Sequence, residues 1–135
     1  MPEDESLDDL LMKVLDHMRG IFLGRLAAAE LSPPQFMLLK LLDEPHGMSR
    51  LADHLHCDAS NLTGLADRLE DRHLVERRND PADRRVKLLA LTRQGRALRA
   101  KLERPVTPEL PGLQKLTPAE RSELARLLRR VFVDS

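Results

Sequence analysis

The sequence predicts a mostly α-helical protein with one small β-hairpin near its middle. Three observations lead to this fold class: apolar residues recur at helical spacing, capping residues stand where those stretches begin, and two extended runs flank the charged segment "RRNDPADRR". With 135 residues, the chain is long enough for one domain with a buried core. Because only three residues are aromatic, leucine must fill most of that core.

The N-terminal part predicts two helices. Apolar residues from Leu7 onward repeat at positions i, i+3, i+4 and i+7, which indicates a long amphipathic helix over about residues 6–30. In "LSPPQFMLLKLLDEP", Ser32 is a candidate N-cap, and the prolines after it suit the first turn of a helix. The second helix is therefore expected over about residues 33–44.

The third and fourth helices are expected to form a pair joined by a short turn. A turn at "HGM" and an N-cap at Ser49 predict a short helix over about 49–56, and the next apolar repeat predicts a helix over about 59–72. Either Asp58 or Ser60 can cap the fourth helix. Its polar face carries small, hydrogen-bonding side chains near the N-terminus, which is typical of the second helix of a helix-turn-helix.

A β-hairpin is expected directly after the fourth helix, where it would form a wing. The extended runs "HLVERR" and "RVKLLALT" are separated by the turn "NDPAD". The whole segment "RRNDPADRR" would be the tip of this wing. Its arginines can reach the sugar-phosphate backbone or the narrow minor groove of DNA, and Asp80 and Asp83 can hold the guanidinium groups in position. A solvated turn with internal salt bridges explains this loop equally well when the loop is taken alone.

The C-terminal part predicts two more helices on either side of the proline-rich segment "RPVTPELPG". Thr92 is the N-cap of the fifth helix. Thr117 and Glu120 form a capping box for the last helix, with Pro118 in its first turn. The first and last helices each have an apolar face that a small winged domain cannot cover, so we expect them to pair with a second subunit.

Charge is unevenly distributed along a chain whose 22 basic and 22 acidic residues cancel. Residues 1–60 carry 5 basic and 11 acidic side chains, whereas residues 61–104 carry 12 and 7. Beyond a Debye length of about 8–10 Å the acidic part is largely screened, so the basic middle can attract a polyanion. The neutral overall charge therefore does not exclude nucleic acid as a partner.

The order of elements and the motifs of residues 51–95 resemble the MarR family of dimeric winged-helix transcriptional regulators. "LADHLHCDASNLTGLADRLEDRHLVERRNDPADRRVKLLALTRQG" is similar to that family's recognition helix, "LVER" strand, D-x-x-D-x-R wing and closing "LT..G". The resemblance implies a winged helix-turn-helix with N- and C-terminal dimerisation helices. The residues that it places at DNA are Ser60, Asn61, Thr63, Gly64, Arg68, Asp83, Arg84 and Arg85. Within this set, Arg85 would enter the minor groove, Asp83 would brace it, and Arg84 would add a contact to the DNA backbone.

The resulting hypothesis is a homodimer that binds a pseudo-palindromic operator in double-stranded DNA and represses transcription. We expect one MarR-like domain over residues 1–135, with dimerisation helices at 1–31 and 105–135. The winged helix-turn-helix and its linking helix would then occupy residues 32–104. The family likeness also implies a small-molecule effector, whose binding residues stay unassigned.

Two positions depart from the family pattern. Where the family usually has a glycine after the recognition helix, this chain has His73, which can accept a left-handed backbone at some cost. The fifth helix is usually longer, so the proline-rich segment 105–112 bears on the geometry of the dimer.

Residues His17 to Arg25 and Phe36 are candidate walls of an effector site, but ordinary packing is the favoured explanation for them.

Metal binding, redox sensing and binding of a protein partner are alternative interpretations of the same sequence. At "HLHCD", His54, Cys57 and Asp58 are spaced to share one helical face, with His56 nearby, so this corner can be read as a metal site, or Cys57 as a redox sensor. A small buried cysteine and surface histidines are the simpler interpretation. A winged module that binds a protein partner would need an acidic or apolar recognition face, which the arginines contradict.

Enzymatic activity and membrane association are not expected. The chain has no phosphate-binding glycine loop, nucleophile elbow or HExxH helix, so we predict neither an enzyme nor a cofactor. Its acidic start and the lack of a long apolar stretch predict a cytoplasmic protein without a membrane partner. A single cysteine excludes an intrachain disulfide.

Overall fold

The computed structural model describes residues 5–134. These residues fall into two compact units. The terminal unit contains the described residues up to Ile21 and those from Pro105 onward, and the winged unit spans Phe22–Arg104. The architecture is mostly helical with one three-stranded antiparallel sheet, which confirms the predicted fold class.

Six α-helices and three β-strands follow one another along the described chain. In chain order they are α1 Leu7–Ala28, α2 Pro33–Lys40, β1 His46–Gly47, α3 Met48–Leu55, α4 Ala59–Asp71, β2 Val75–Asn79, β3 Lys87–Leu91, α5 Arg93–Leu102 and α6 Pro118–Phe132. The proline-rich segment forms one short 3-10 turn, Thr107–Glu109, and a second one, Leu113–Lys115, follows it.

A leucine-rich core holds the winged unit together. The largest fully buried side chains come from most of its elements: Leu26, Leu38, Leu39, Leu42, Leu51, Leu62, Leu69, Val75 and Leu89. Phe36 is also buried, and its ring meets the edge of Phe22 with 5.1 Å between the ring centroids. Full burial of one such side chain is worth about 1.5–3 kcal/mol. Leucine therefore supplies most of the core, as the scarcity of aromatic residues predicts.

The predicted wing is present as the hairpin of β2 and β3. The two strands pair in antiparallel register from Val75 opposite Leu91 to Asn79 opposite Lys87. The strand β1 was not predicted, because the segment "HGM" was expected to be a turn. Instead, β1 pairs with β3 along its other edge.

The predicted N-cap of α3 is wrong. Its helix begins at Met48, so Ser49 lies inside the helix, and Gly47 is the N-cap without a side-chain hydrogen bond. The physical reason is the pairing of β1 with β3, which keeps the backbone extended up to Gly47. A tertiary contact thus decides where this helix begins.

The helix α2 ends at Lys40, four residues before the predicted end. Its last turn tightens, since the N–H groups of Leu41 and Leu42 donate to carbonyl oxygens three residues earlier. Further on, Pro45 disfavours helical backbone at the residue before it. Proline-based reasoning placed the stop in the right segment but too late.

Three predicted N-caps are confirmed. Ser32 forms a capping box with Gln35 at the start of α2. Thr92 accepts a hydrogen bond from the Gly95 N–H at the start of α5. At the start of α6, Thr117 forms the expected capping box with the residue three positions later. Each cap satisfies backbone N–H groups that a helix start leaves without partners.

The helix α4 ends through a left-handed residue, as expected. His73 has a φ of 60°, and the N–H of Leu74 donates to the Leu69 carbonyl at 3.0 Å. This pattern closes the C-terminal turn of a helix and is more often built with glycine. The chain therefore turns directly from α4 into β2.

Candidate nucleic-acid interface

Asp58 organises the first turn of α4. Its Oδ1 atom accepts hydrogen bonds from the Asn61 N–H and from the Ser60 hydroxyl, both at 2.8 Å. Of the two residues that could have capped this helix, Asp58 is therefore the cap. The Asn61 N–H, followed by the Ser60 hydroxyl, lowers the pKa of Asp58 below its ordinary value. The carboxylate holds the start of the candidate recognition helix in place.

The polar face of α4 offers three different hydrogen-bonding groups. Ser60 already donates to Asp58, and the Thr63 hydroxyl donates to the Ala59 carbonyl at 2.8 Å. Both hydroxyl oxygens can still accept a hydrogen bond. The Asn61 carboxamide takes part in no hydrogen bond recorded among the described residues, so its donor and its acceptor are both available.

A groove of about 830 Å³ runs along this face of α4. Pro33 and Met37 of α2 border it on one side, and Gly64 and Arg68 border it on the other. A Cβ atom built on Gly64 would meet no atom within 4 Å, so packing inside the described chain does not require a glycine there. Arg68 is exposed on the same face of the winged unit.

Arg77 at the base of the wing is bound to α4. Its Nη2 atom donates to Asp67 Oδ1 at 2.6 Å, and its Nη1 atom donates to Glu70 Oε1 at 2.8 Å. The hydrogen bond to Asp67 is the main cause that raises the pKa of Arg77 above its ordinary value. This guanidinium is therefore engaged within the protein.

Two further arginines are also engaged within the chain. Arg72 donates to the carbonyl oxygens of Ala29 and Glu30 at 2.8 and 2.9 Å, at the C-terminal end of α1. Arg78 donates to Glu76, its neighbour two positions back on β2. Internal salt bridges were the alternative explanation for the arginines of the wing. At the base of the wing, this explanation is correct.

At the tip of the wing, both aspartates bind backbone N–H groups. Asp80 Oδ1 accepts from Ala82 N at 2.9 Å, and Asp83 Oδ1 accepts from Arg85 N at 3.1 Å. The expectation that these carboxylates hold guanidinium groups is therefore wrong for this structure. The short side chain of an aspartate readily accepts a hydrogen bond from the backbone N–H two residues ahead, and this local bond competes with pairing to an arginine head group. Asp83 braces Arg85 through its backbone.

The guanidinium groups of Arg84 and Arg85 differ from those at the base. Both side chains are exposed, and among the described residues neither guanidinium donates a recorded hydrogen bond or forms an ion pair. The eight predicted DNA-binding residues thus lie on two elements of the winged unit. Five are on α4, and three are at the tip between β2 and β3.

Comparisons with known proteins identify the family. The MarR family model matches residues 31–87. The transcriptional repressor NicR of Pseudomonas putida is 33% identical over 97 residues, which cover 70% of this chain and 61% of NicR. YxaD of Bacillus subtilis, named as an HTH-type transcriptional regulator, is 31% identical over 105 residues and 73% of each chain. The chain belongs to the MarR family.

A solved MarR-family structure agrees with this result. The apo form of MarR from E. coli is 27% identical, with a TM-score of 0.69 over 94% of this chain and 96% of that one. The chain carries the winged helix of a MarR-family transcriptional regulator, and the relatives named above are regulators and not enzymes, as expected. It spans 61% of the length of NicR. None of the described helices is long and apolar enough to cross a membrane.

The metal-binding alternative has no support in the described part of this MarR-family chain. The helix α3 ends at Leu55, so Cys57 and Asp58 lie beyond it and do not share a helical face with His54. Asp58 instead caps α4, and the half-buried Cys57 packs against the core. Among the described residues, no three His, Cys, Asp or Glu side chains are grouped to hold a metal ion.

Two of the candidate effector walls have structural contacts in the winged unit. Phe36 belongs to the core. Arg25 donates from Nη1 to the carbonyl oxygens of Leu102 and Arg104, at 3.3 and 2.6 Å, where α5 ends. These contacts agree with the ordinary packing that was favoured for both residues.

The bond from Arg77 to α4 was not predicted from the sequence. The available signal was a pair of acids, Asp67 and Glu70, three residues apart on a helix, followed by an arginine in the next strand. Which strand residue faces those acids depends on how β2 packs against α4. Local spacing does not determine that packing.

Proposed function

We propose that this protein is a homodimeric repressor that binds a pseudo-palindromic operator in double-stranded DNA. Each subunit would place α4 in the major groove and the wing in the flanking minor groove, with half-sites about 34–36 Å apart. The observation that carries the proposal is the separation of the arginines in the wing. Those at its base are paired within the chain, whereas Arg84 and Arg85 at its tip present exposed guanidinium groups.

The start of α4 has the chemistry for reading bases. An asparagine carboxamide can form two hydrogen bonds with adenine in the major groove, and Asn61 has both its donor and acceptor available. Ser60 and Thr63 can each accept a hydrogen bond. A glycine inside a helix costs up to about 1 kcal/mol, and Gly64 has no packing reason within the described chain, so close approach of DNA explains it.

The wing has the chemistry for binding the DNA backbone and the minor groove. A narrow minor groove has an enhanced negative potential that attracts arginine. In this proposal Arg85 enters the groove, with its backbone held by Asp83, while Arg84 and Arg68 contact phosphates. Phosphate contacts set the position on the duplex, and contacts to the bases supply the preference for sequence.

The terminal unit supports the homodimer. None of its described side chains is buried in the single chain, and both α1 and α6 expose apolar residues. These residues include Leu10, Leu11, Leu15, Leu124, Leu127 and Leu128, all at least 40% exposed. Contiguous apolar surface of this kind marks an interaction site. A second copy would cover the same surface on both subunits through a two-fold axis.

The proposal includes relief of repression by a small molecule, for which family membership is the support. An effector would have to bind one arrangement of the two reading heads more tightly than the other, since equal affinity for both changes nothing. The repressor role itself is supported by the similarity to NicR, which is a transcriptional repressor.

The decisive experiment selects DNA from a pool of random duplexes and sequences the bound fraction. We expect enrichment of an inverted repeat. Fluorescence anisotropy on the enriched duplex should then show affinity that falls by about 10³–10⁵ between 50 and 200 mM salt, if about six to ten phosphates are neutralised. Absence of both enrichment and salt-dependent binding would contradict the proposal.

Variants of the two elements should differ in their effects. Arg85→Ala should weaken binding to all duplexes, with a further loss of preference at A·T-rich flanks, whereas Asn61→Ala should change the preferred sequence. Arg78→Ala is the matched control, because it removes a wing arginine that is paired with Glu76. Equal losses from all three variants, without a change in sequence preference, would count against base reading by α4.

A further inference from the structure

The wing is tied to α4 by one side chain that spans two carboxylates. The two hydrogen bonds from Arg77, to Asp67 and to Glu70, come from different nitrogen atoms of the same guanidinium. Asp67 and Glu70 are three residues apart and so lie on one face of α4. The planar guanidinium can reach both at once, whereas a lysine ammonium is a single point of charge. We call this three-residue arrangement the Arg77 clasp.

The clasp lies where the hairpin leaves the body of the winged unit. Side chains at alternate positions of β2 point to the same face of the sheet, so Val75, Arg77 and Asn79 share one face. Val75 is in the core, and Asn79 accepts a hydrogen bond from Lys87 across the hairpin. Among the hydrogen bonds and ion pairs recorded for the described residues, none joins the hairpin to α4 beyond Arg77.

This position gives the clasp leverage over the tip of the wing. The contacts recorded at Asp80 and Asp83 are all within the tip itself. They shape the loop but do not orient it against α4. The direction of the tip therefore depends on both strands that carry it: β3 is held by its pairing with β1, and β2 is held to α4 by the Arg77 clasp.

We infer that Arg77 is a positioning residue that holds the wing at a set angle to the recognition helix, so that both can engage one DNA site together. This inference rests on the proposed function, because it assumes that α4 and the wing tip contact the same duplex. Arg77 itself need not touch DNA. Without Arg77, binding of α4 to DNA should no longer bring Arg85 into contact with the same duplex.

A double-mutant cycle on the selected duplex tests this coupling. In the parent protein, Arg85→Ala should weaken binding by about tenfold or more. In an Arg77→Ala background the same change should weaken binding by less than about threefold, since the tip is no longer delivered to the groove. Arg78→Ala provides the matched background, where Arg85→Ala should keep its full effect because Arg78 pairs within its own strand.

A second background separates positioning from charge. Arg77→Ala removes a positive charge, which by itself weakens binding to DNA, whereas the double change Asp67→Ala with Glu70→Ala removes two negative charges and both acceptors of Arg77, and the loss of negative charge by itself strengthens binding. Both backgrounds break the clasp, so both should reduce the effect of Arg85→Ala. Arg77→Lys should restore part of that effect, because an ammonium can pair with one of the two carboxylates. Urea unfolding of each background checks that the winged unit is folded.

The possible outcomes distinguish the inference from the proposed function. Reduced effects of Arg85→Ala in both clasp-breaking backgrounds, with the full effect beside Arg78→Ala, would establish the positioning role. The same fold loss in every background would overturn it while leaving DNA binding intact. No salt-dependent binding by the parent protein would overturn both.

Discussion

The winged unit and the terminal unit are both rich in leucine, but only the winged unit buries its leucines within one chain. Leu69 on α4 is 0% exposed, whereas Leu127 on α6 is 44% exposed. Both residues belong to apolar repeats of the same helical period. The difference teaches that periodicity identifies the apolar face of a helix and says nothing about which surface covers it.

Local signals are as strong in the terminal unit as in the winged unit. The helix α6 has a full capping box, and within it Arg126 and Glu123 form an ion pair at 2.6 Å. These interactions define the helix without any core beneath it. The winged unit adds contacts between elements distant in the chain, such as the pairing of β1 with β3.

The largest effect is expected from Gly95→Ala in the winged unit. A Cβ atom at this position would lie 1.9 Å from the Leu74 carbonyl oxygen, so backbone must move. The site is crowded because Thr92 donates to the carbonyls of His73 and Leu74 and thereby holds the start of α5 against the end of α4. We expect a loss beyond the roughly 3 kcal/mol upper end of ordinary overpacking, measured as the free energy of unfolding in urea.

Gly24→Ala is the control for this change. Gly24 also lies in the winged unit, but a Cβ atom there would meet nothing within 4 Å. Replacing a glycine in a helix interior by alanine should stabilise the protein by about 0.5–1 kcal/mol. If Gly95→Ala were as stable as the parent, the close approach of α5 to Leu74 would not exist in solution.

An intermediate effect is expected from the same substitution in both units. Leu69→Ala should lower the free energy of unfolding by about 2–5 kcal/mol, since it opens a cavity in a closed core. Leu127→Ala should act mainly on association, because its side chain is half exposed in one chain. Sedimentation at several protein concentrations should show that the proposed dimer is weakened by Leu127→Ala and unchanged by Leu69→Ala.

The opposite pattern would break the contrast between the units. If Leu127→Ala left the oligomeric state unchanged and destabilised the chain like Leu69→Ala, the terminal unit would have a core of its own. Phe132 offers an independent check, because it is 69% exposed despite being one of three aromatic residues. If the contrast between the units holds, Phe132→Ser should leave the free energy of unfolding of the winged unit unchanged.

Sequence reasoning predicted the parts of the fold that local chemistry determines. Caps such as Ser32, Thr92 and Thr117 have side chains that satisfy backbone groups within the next few residues, so their positions can be read directly. The start of α3 was missed because it depends on β1, a strand of two residues whose partner lies about forty residues further on. No local pattern contains that pairing.

The same division applies to the candidate interface. Motif spacing placed Ser60, Asn61 and the other candidates on α4 and the wing tip, where the structure has them. Counting arginines did not reveal which of them are free to bind, because Arg72 and Arg77 are engaged by groups from distant positions. Their partners depend on tertiary packing. The roles of the eight candidates at DNA remain predictions until the binding variants are measured.

The smallest effect is expected from two acidic side chains at helix starts, the N-cap Asp58 of α4 and the capping-box residue Glu120 of α6. Backbone N–H groups lower the pKa of Asp58 at α4 and of Glu120 at α6, with the N–H of Asn61 and of Thr117 as the main causes. A folded-state pKa below the ordinary value means that the ionised cap stabilises the fold at neutral pH. That contribution is lost as pH falls below about 4, where carboxyl groups ordinarily become protonated.

Asp58→Asn and Glu120→Gln keep hydrogen-bonding side chains but remove the titration. Between pH 5 and pH 3, the free energy of unfolding of the winged unit, measured in urea, should therefore fall less in Asp58→Asn than in the parent protein. Glu120→Gln should not change that loss, because its cap belongs to a helix without a core in the same chain. An equal response of both variants would mean that α6 unfolds together with the winged unit, so that the contrast between the two units does not extend to their stability.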